Sequence, residues 1–235
     1  MILKNYSKYI VSLFSQGSVN YSFIDQVLVS GTNFLSNIIL VRILDLYEFG
    51  LFASLWLILL FINSIYSALI VFPMMTLAPK QNNLASYFGS MLVIQSFLLI
   101  IIFCISFCIT SLYFYLINLD VSYLTIILFS TTVLLYHAQD FFRRYFFIKE
   151  LYKQVLIIDN ITYVLRLIIL VYFMIYPSIE SLEEVLMIFS STFLLGFIYG
   201  LFKCKFIIVY QNIKTDFIQN WKLAKWLIPS GLMQW

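Results

Sequence analysis

Long apolar stretches, separated by short polar segments, follow one another along the 235-residue chain. They cover residues 19–44, 50–77, 88–117, 121–142, 154–176 and 184–202. Each stretch is long enough for a helix that crosses the hydrocarbon of a bilayer, which takes about 20 residues. The strands of a transmembrane β-barrel would be shorter and would alternate polar with apolar positions. The pattern therefore predicts an all-α, polytopic transmembrane helix bundle with six spans.

The first stretch, Val19 to Leu44, is apolar on one side only. At about 100° per residue, five polar side chains share a stripe: Ser22, Gln26, Ser30, Asn33 and Asn37. Asp25 and Ser36 lie beside this stripe. Because amides and carboxylates are costly in hydrocarbon, such a face normally lines a cavity or the interior of a helix bundle. The pattern is typical of a transporter rather than of a simple anchor.

Three of the other stretches predict features of packing and shape. The third, from Ser90 to Leu116, is almost wholly apolar and is expected to face lipid. The sixth has Thr192, Gly196 and Gly200 at four-residue steps, a ridge of small side chains that allows close helix packing. In the second, Pro73 is expected to kink or end the helix.

The polar segments between the spans alternate in charge. One set is basic: Lys4, Lys8, Lys80, Arg143, Arg144, Lys149, Lys153, Lys203, Lys205, Lys214, Lys222 and Lys225. The other set is acidic, with Arg42 as its one base: Asp45, Glu48, Asp120, Glu180, Glu183 and Glu184. Basic loops are retained on the cytoplasmic side of a membrane. The alternation therefore predicts a multi-pass protein whose N-terminus is cytoplasmic.

The composition excludes the soluble classes of protein. Hydrophobic residues make up 63% of the chain and charged residues 11%, and the mean hydropathy is +0.97. A soluble core needs far less apolar surface, and a nucleic-acid-binding surface needs more basic residues. The cysteines Cys104, Cys108 and Cys204 have neither metal-ligand nor disulfide spacing. We expect no metal site, no cofactor and no nucleic-acid partner.

Beyond the sixth stretch the chain becomes more polar. In residues 203–220, apolar side chains recur at helical spacing between lysines and amides: Phe206, Tyr210, Ile213 and Phe217. This spacing suits a helix on the cytoplasmic membrane surface, and a plain basic loop fits it as well. We expect residues 1–202 to form a six-helix lobe and residues 203–220 to form a connector. Residues 221–235 are expected to be the truncated start of a second lobe.

Arg166, near the middle of the fifth stretch, is the most deeply placed charge in the sequence. Tyr152, Asp159 and Tyr163 lie within about 60° of it on the same helix face. Asp159 is about 10 Å away along the axis, which is too far for a direct partner. A central arginine costs about 2.5–3.5 kcal/mol to insert. Arg166 therefore either meets a ligand or an ion pathway, or forms a structural ion pair with Asp25 or a similar acid.

The fourth stretch ends in two adjacent arginines, Arg143 and Arg144, and Asp140 is placed to pair with Arg144. Two arginines at a membrane boundary can bind a phosphate group bidentately. They can equally set the topology and extend to the membrane surface. The single histidine, His137, is expected to be a hydrogen-bonded packing residue rather than a ligand or a base.

Two charges of the first helix each allow two interpretations. Asp25 lies about two turns into the span, where a proton or cation site and a structural carboxylate are equally open. Arg42 falls near the opposite face of the helix from the polar stripe, which favours an ion pair with Asp45.

Several short motifs, taken in order, carry a family resemblance. They are Asp25-Gln26, Ser30-Gly31-x-Asn33-Phe34-Leu35, Arg42-x-Leu44, Glu48-Phe49-Gly50, Pro73-Met74, Gln139-Asp140-x-x-Arg143-Arg144-x-x-Phe147 and Asp159-Asn160. With these motifs the chain resembles the polysaccharide or O-antigen flippases, relatives of the multidrug and toxic compound extrusion transporters. Members of that family usually carry twice as many spans, so the resemblance is to their N-terminal portion.

The resemblance implies one lobe of a two-lobed transporter that alternates between inward-open and outward-open states. Its cargo would be an oligosaccharide on undecaprenyl pyrophosphate, crossing the bacterial cytoplasmic (inner) membrane during surface polysaccharide biosynthesis. The implied substrate-binding residues are Arg166, Arg143, Arg144, Arg42, Asn33 and Gln26. Asp25 and Asp159 would couple transport to an ion gradient. The implied partners are membrane lipids, a second lobe and the polysaccharide polymerase machinery.

Three other interpretations stay open. The same superfamily includes exporters of drugs and cations. A membrane-embedded glycan-assembly enzyme would need a catalytic acid at a leaflet boundary, for which Asp140 is the candidate. Because no other enzyme constellation is present, we do not expect an enzyme. The third interpretation is a truncated, inactive lobe.

Overall fold

The computed structural model describes residues 16–119, 121–176, 181–204 and 210–233, which form seven helices and no strand. The helices are α1 (Gln16–Ile43), α2 (Leu46–Lys80), α3 (Leu84–Leu116), α4 (Tyr123–Ile148), α5 (Tyr152–Ile175), α6 (Leu182–Lys203) and α7 (Tyr210–Leu232). The predicted all-α helix bundle is therefore confirmed over these residues.

Five of the helices, α1, α2, α3, α5 and α6, are long and apolar enough to cross a membrane. The chain is thus a multi-pass membrane protein. The helix α4 is 26 residues long but more polar, so the count of six spans stays a prediction. More than half of the α4 residues are buried, mainly against α6, α3 and α5. Because α4 is enclosed by other helices, its polar side chains meet protein rather than lipid.

Polar side chains at the helix starts explain where several elements begin. The Asp45 carboxylate accepts a hydrogen bond from the Glu48 N–H at 2.7 Å, which caps α2. Asn83 caps α3 in the same way, at 3.1 Å from the Ser86 N–H. Ser181 and Glu184 form a reciprocal capping box at the start of α6. Some acidic loop residues therefore also fix helix ends.

The helix α2 passes through Pro73 and continues to Lys80. A π-helical turn, Ser67–Val71, ends two residues before Pro73, and the Phe72 N–H donates to the Ser67 carbonyl. A proline cannot donate to the carbonyl four residues earlier, and its ring crowds that carbonyl. The wider π turn relieves this crowding, so the expected irregularity at Pro73 takes this form and the helix does not end there.

Close packing of α6 follows the predicted ridge of small residues. A Cβ atom on Gly200 would lie 2.5 Å from Phe142 Cγ, and one on Gly196 would lie 2.6 Å from Thr162 Oγ1. Thr192 is buried in the same interface. The packing role predicted for this ridge is confirmed, because side chains on these two glycines would push α6 away from α4 and α5.

The helix α7 packs against the first turns of α3 and the second half of α2. The Asn212 amide donates to Ser86 Oγ at 3.0 Å, and the Tyr87 hydroxyl donates to Asn220 Oδ1 at 3.0 Å. Residues 210–220 are therefore helical, as the first of the two alternatives predicted, and residues 205–209 lie outside the described part. The predicted boundary between residues 220 and 221 falls inside this continuous helix.

Candidate functional site

Arg143 of α4 ties three helices together inside the bundle. Its Nε donates to both carboxylate oxygens of Asp159 on α5 at 2.9 Å. Its Nη2 donates to Asp25 Oδ2 on α1 at 2.6 Å. Both carboxylates are buried, so their charges are balanced by the guanidinium rather than by water. The alternative in which Arg143 extends to the membrane surface is therefore wrong.

Arg144 forms the predicted pair with Asp140 one helical turn earlier. The Arg144 Nε lies 3.2 Å from Asp140 Oδ1, and Arg143 Nη1 lies 4.0 Å from the same oxygen. Three aspartates therefore share two arginines around this point of α4. With all five groups ionised, this cluster would carry one net negative charge.

Arg166 on α5 is fully buried, and no carboxylate of the described residues pairs with it. Its Nη2 donates to Asn33 Oδ1 of α1 at 2.5 Å. Its Nε and Nη1 have no hydrogen-bond partner in the described part of the chain. The predicted alternative of an Arg166–Asp25 ion pair is wrong, because Asp25 is bound to Arg143 instead.

Aromatic rings hold the Arg166 guanidinium in place. Its central carbon lies 4.2 Å from the ring centroid of Phe189 and 5.1 Å from that of Tyr163. The ring of Phe193 follows at 5.8 Å. Arginine stacks well on aromatic faces, so these contacts offset part of the cost of burying the charge.

A cavity of about 280 Å³ lies in front of these arginines. Its polar wall comes from Asn33, Ser36, Asn37, Tyr136, Asp140, Arg143, Arg144 and Arg166. Trp56 and Phe52 of α2 and Phe189 of α6 form an aromatic wall. The helices α1 and α2, which border the cavity, share few contacts with each other, and Asn37 is exposed. The cavity is thus a polar, cationic and aromatic pocket inside an apolar bundle.

The structure brings together four of the predicted substrate-binding residues and separates two. Arg166, Arg143, Arg144 and Asn33 line the cavity. Gln26 is exposed, and its amide donates to Ser30 Oγ at 3.3 Å. Neither Gln26 nor Arg42 lines this cavity.

Arg42 is exposed and does not form the predicted ion pair with Asp45. Asp45 is occupied as the cap of α2 instead. The two predicted coupling acids, Asp25 and Asp159, meet on Arg143. The sequence could not predict this contact, because it joins side chains of three different helices, α1, α4 and α5.

The buried face of α1 is rotated from the predicted stripe. Asp25, Thr32 and Ser36 are buried, whereas Gln26 and Ser30 are exposed. The carboxylate of Asp25 needs the Arg143 guanidinium, because an unpaired charge inside the bundle would be far more costly than an exposed amide. The buried face of α1 is thus the one that turns Asp25 toward Arg143.

His137 is a packing residue, as predicted. It is fully buried, and its Nδ1 lies 2.7 Å from the Val133 carbonyl one turn earlier. Its own backbone carbonyl accepts hydrogen bonds from the Tyr66 hydroxyl and the Gln95 amide, both at 3.3 Å. It therefore joins α4 to α2 and α3.

The aromatic wall of the cavity is the part that sequence reasoning missed. Trp56 and Phe189 stand in apolar stretches full of aromatic residues, and their rings meet edge to face with centroids 5.7 Å apart. Only the pairing of α2 with α6 distinguishes these two rings from the others. No signal within either stretch could have shown it.

Among the described residues, no three His, Cys, Asp or Glu side chains are grouped to hold a metal ion. No family model, curated protein or solved structure matches this chain. The geometry of the cavity is therefore the basis for the functional assignment.

Proposed function

We propose that this chain is a lobe of a transporter that moves a lipid-linked oligosaccharide, carried on undecaprenyl pyrophosphate, across the bacterial cytoplasmic membrane. It would work by alternating access rather than as an enzyme, with its N-terminus in the cytoplasm. The observation that carries the proposal is the buried Arg166, which lines a polar cavity and whose Nε and Nη1 have no hydrogen-bond partner among the described residues.

An anionic group suits the free donors of Arg166. The free Nε–H and Nη1–H bonds of Arg166 diverge, so each can donate a separate hydrogen bond to a phosphate or carboxylate oxygen, and such charge-assisted bonds are strong where water is scarce. Asn33 already holds Nη2 at 2.5 Å, which orients the rest of the group. The stacked rings of Trp56 and Phe52 line the same cavity and supply apolar surface against which a sugar can pack. Both halves of a phosphate-linked glycan therefore find matching chemistry.

The coupling role proposed for Asp25 and Asp159 is supported by their shared partner. One guanidinium serves two carboxylates, and Asp25 Oδ1 accepts no hydrogen bond from the described residues. A proton or a cation bound there would weaken the hold of Arg143 on α1 or α5. Because these helices also carry Asn33 and Arg166, such a change would reach the cavity.

The exporter of drugs or cations is a weaker alternative. A cationic substrate would be held by acids in the cavity wall, but the one acid among the described lining residues, Asp140, is bound to Arg144, and three arginines share that wall. The enzyme alternative has the same difficulty, since its candidate acid Asp140 accepts hydrogen bonds from Arg144.

Substitution of Arg166 by Met tests the proposal. An unpaired central arginine costs about 2.5–3.5 kcal/mol in a membrane, so the variant should reach the membrane and be at least as heat-stable as the parent. Surface polysaccharide should nevertheless fall at least about tenfold, because the donors for the anion are gone. The matched control is Arg42→Met, which removes an exposed arginine that does not line the cavity and forms no ion pair with the described residues, and it should leave polysaccharide unchanged.

Two outcomes would overturn the proposal. Normal surface polysaccharide in the stable Arg166→Met protein would remove this arginine from substrate binding. A changed sensitivity to cationic dyes, with polysaccharide unaffected, would favour the exporter. Arg166→Lys separates charge from geometry, because lysine keeps the positive charge but loses the planar arrangement of donors.

A further inference from the structure

A second and larger cavity lies between α3 and α7. It has a volume of about 640 Å³, within the range of ligand pockets. Its walls are almost entirely apolar, and Leu69 and Ile70 from the π turn of α2 line it as well. We call this cavity the α3–α7 groove.

The groove follows a part of α3 that borders lipid. It extends along α3 from Met91 to Ile101, a rise of about 15 Å. Phe97 and Ile101, on the wall of the groove, are 68% and 51% exposed. An apolar groove beside exposed apolar side chains in a membrane-spanning helix is open to hydrocarbon chains rather than to water.

One end of the groove carries a single charge. Among the described residues that line it, Lys214 of α7 is the only charged side chain. Lys214 is exposed and forms no ion pair with the described residues. The nearby bond from Asn212 to Ser86 places this end beside the first turn of α3.

The polar amide in the groove needs no ligand. Asn220 accepts from the Tyr87 hydroxyl at 3.0 Å, and its amide donates to the Asp216 carbonyl at 2.8 Å. Lys214 therefore remains the one charged group that a bound molecule could neutralise. The groove offers an apolar channel within the bundle and a free cation at the end where α3 begins.

We propose that the α3–α7 groove binds one anionic phospholipid of the membrane. An acyl chain packs against Ile94, Leu98 and Phe217, and the phosphate group accepts hydrogen bonds from the Lys214 ammonium. A lysine near a membrane surface attracts anionic lipids, and its long aliphatic stem can lie on apolar surface while the ammonium stays in the headgroup layer. A neutral lipid would fill the channel but would leave the lysine without an anion.

Quenching of Trp221 fluorescence by brominated lipids tests this proposal, because Trp221 lines the groove. The protein is reconstituted in phosphatidylcholine vesicles that contain brominated phosphatidylglycerol or brominated phosphatidylcholine. The difference between the parent and the Trp221→Phe variant isolates the signal of this residue. We expect brominated phosphatidylglycerol to half-saturate the quenching at a mole fraction about fivefold lower than brominated phosphatidylcholine.

Lys214→Gln should remove this preference. The matched control is Lys222→Gln, a neighbouring exposed lysine of α7 that does not line the groove, and it should keep the preference. Equal quenching by the two lipids, or an unchanged preference in Lys214→Gln, would overturn the proposal. So would full reversal of the quenching by an equal mole fraction of undecaprenyl phosphate, because the groove would then belong to the isoprenoid carrier.

Discussion

The polar cavity and the α3–α7 groove lie in one helical bundle, yet their walls have opposite chemistry. The cavity has three arginines in its wall, and all but Arg166 are bound to aspartates. The groove, as far as the described residues line it, has a single charge, Lys214, at one end. The helix α2 serves both, with Trp56 in the cavity and Leu69 in the groove.

The difference follows from what surrounds each region. Five helices enclose the cavity, so Arg143 and Arg144 are paired with aspartates inside the protein, whereas Arg166 is held by Asn33 and aromatic rings. The α3–α7 groove borders lipid, where a buried charge finds few charged partners and apolar side chains are stable. The helix α4 lies at the centre of the charged cluster, since it carries Asp140, Arg143 and Arg144. Its side toward α3 is aromatic, with Tyr145 packed on Phe88.

Removal of Arg143 should have the largest effect on the cavity side. In Arg143→Met the carboxylates of Asp25 and Asp159 lose their shared cation while they stay buried. Loss of one partner of a buried ion pair costs about 3–5 kcal/mol. We expect the free energy of unfolding to fall by about this amount, as measured by denaturant titration in detergent micelles.

A rescue experiment separates the ion cluster from the bulk of the arginine. In the triple variant Arg143→Met with Asp25→Asn and Asp159→Asn, none of the three substituted positions carries a charge. Most of the lost stability should return, since a buried ion pair contributes little compared with neutral side chains of similar size. A triple variant that is no more stable than Arg143→Met would show that packing, rather than charge, holds α1, α4 and α5 together.

Substitution of two glycines compares the tightness of two helix contacts, that of α6 with α4 and that of α7 with α2. A Cβ on Gly200 would lie 2.5 Å from Phe142 Cγ, whereas one on Gly231 of α7 would lie 3.5 Å from the Ser64 carbonyl. Gly200→Ala should therefore destabilise the protein by about 1–3 kcal/mol through overpacking between α6 and α4. Gly231→Ala should be neutral or slightly stabilising, because alanine favours the helix. Equal thermal stability of the two variants would contradict this contrast.

Much of the fold could be predicted from the sequence because it depends on local patterns. The length of the apolar runs gave the helices, and the small-residue steps at Gly196 and Gly200 gave the packing face of α6. The i,i+4 pair of Asp140 with Arg144 is a property of one helix, so its spacing alone predicts it. The separation of Asp159 from Arg166 along α5 followed in the same way.

The site could be predicted only in part, because its contacts join different helices. Arg166 and Asn33 stand out in the sequence by their cost in hydrocarbon, and Arg143 by its place next to Arg144 at the end of the fourth stretch. Which acid pairs with which arginine depends on how α1 and α5 are rotated against α4. For this reason the sequence suggests Asp25 as an ion-pair partner of Arg166, whereas in the structure Asp25 pairs with Arg143.

The smallest expected difference is between the hydrogen bonds of two buried tyrosine hydroxyls. Tyr87, next to the groove, donates to Asn220 Oδ1 at 3.0 Å, and Tyr66 donates to the His137 carbonyl at 3.3 Å. Tyr87→Phe should cost about 1 kcal/mol, the usual net value of one buried hydrogen bond. Tyr66→Phe should cost less, because the His137 carbonyl keeps the Gln95 amide as a second donor. Thermal unfolding of both variants in detergent measures the difference, and a larger loss in Tyr66→Phe would mean that the Gln95 amide cannot replace the lost hydroxyl.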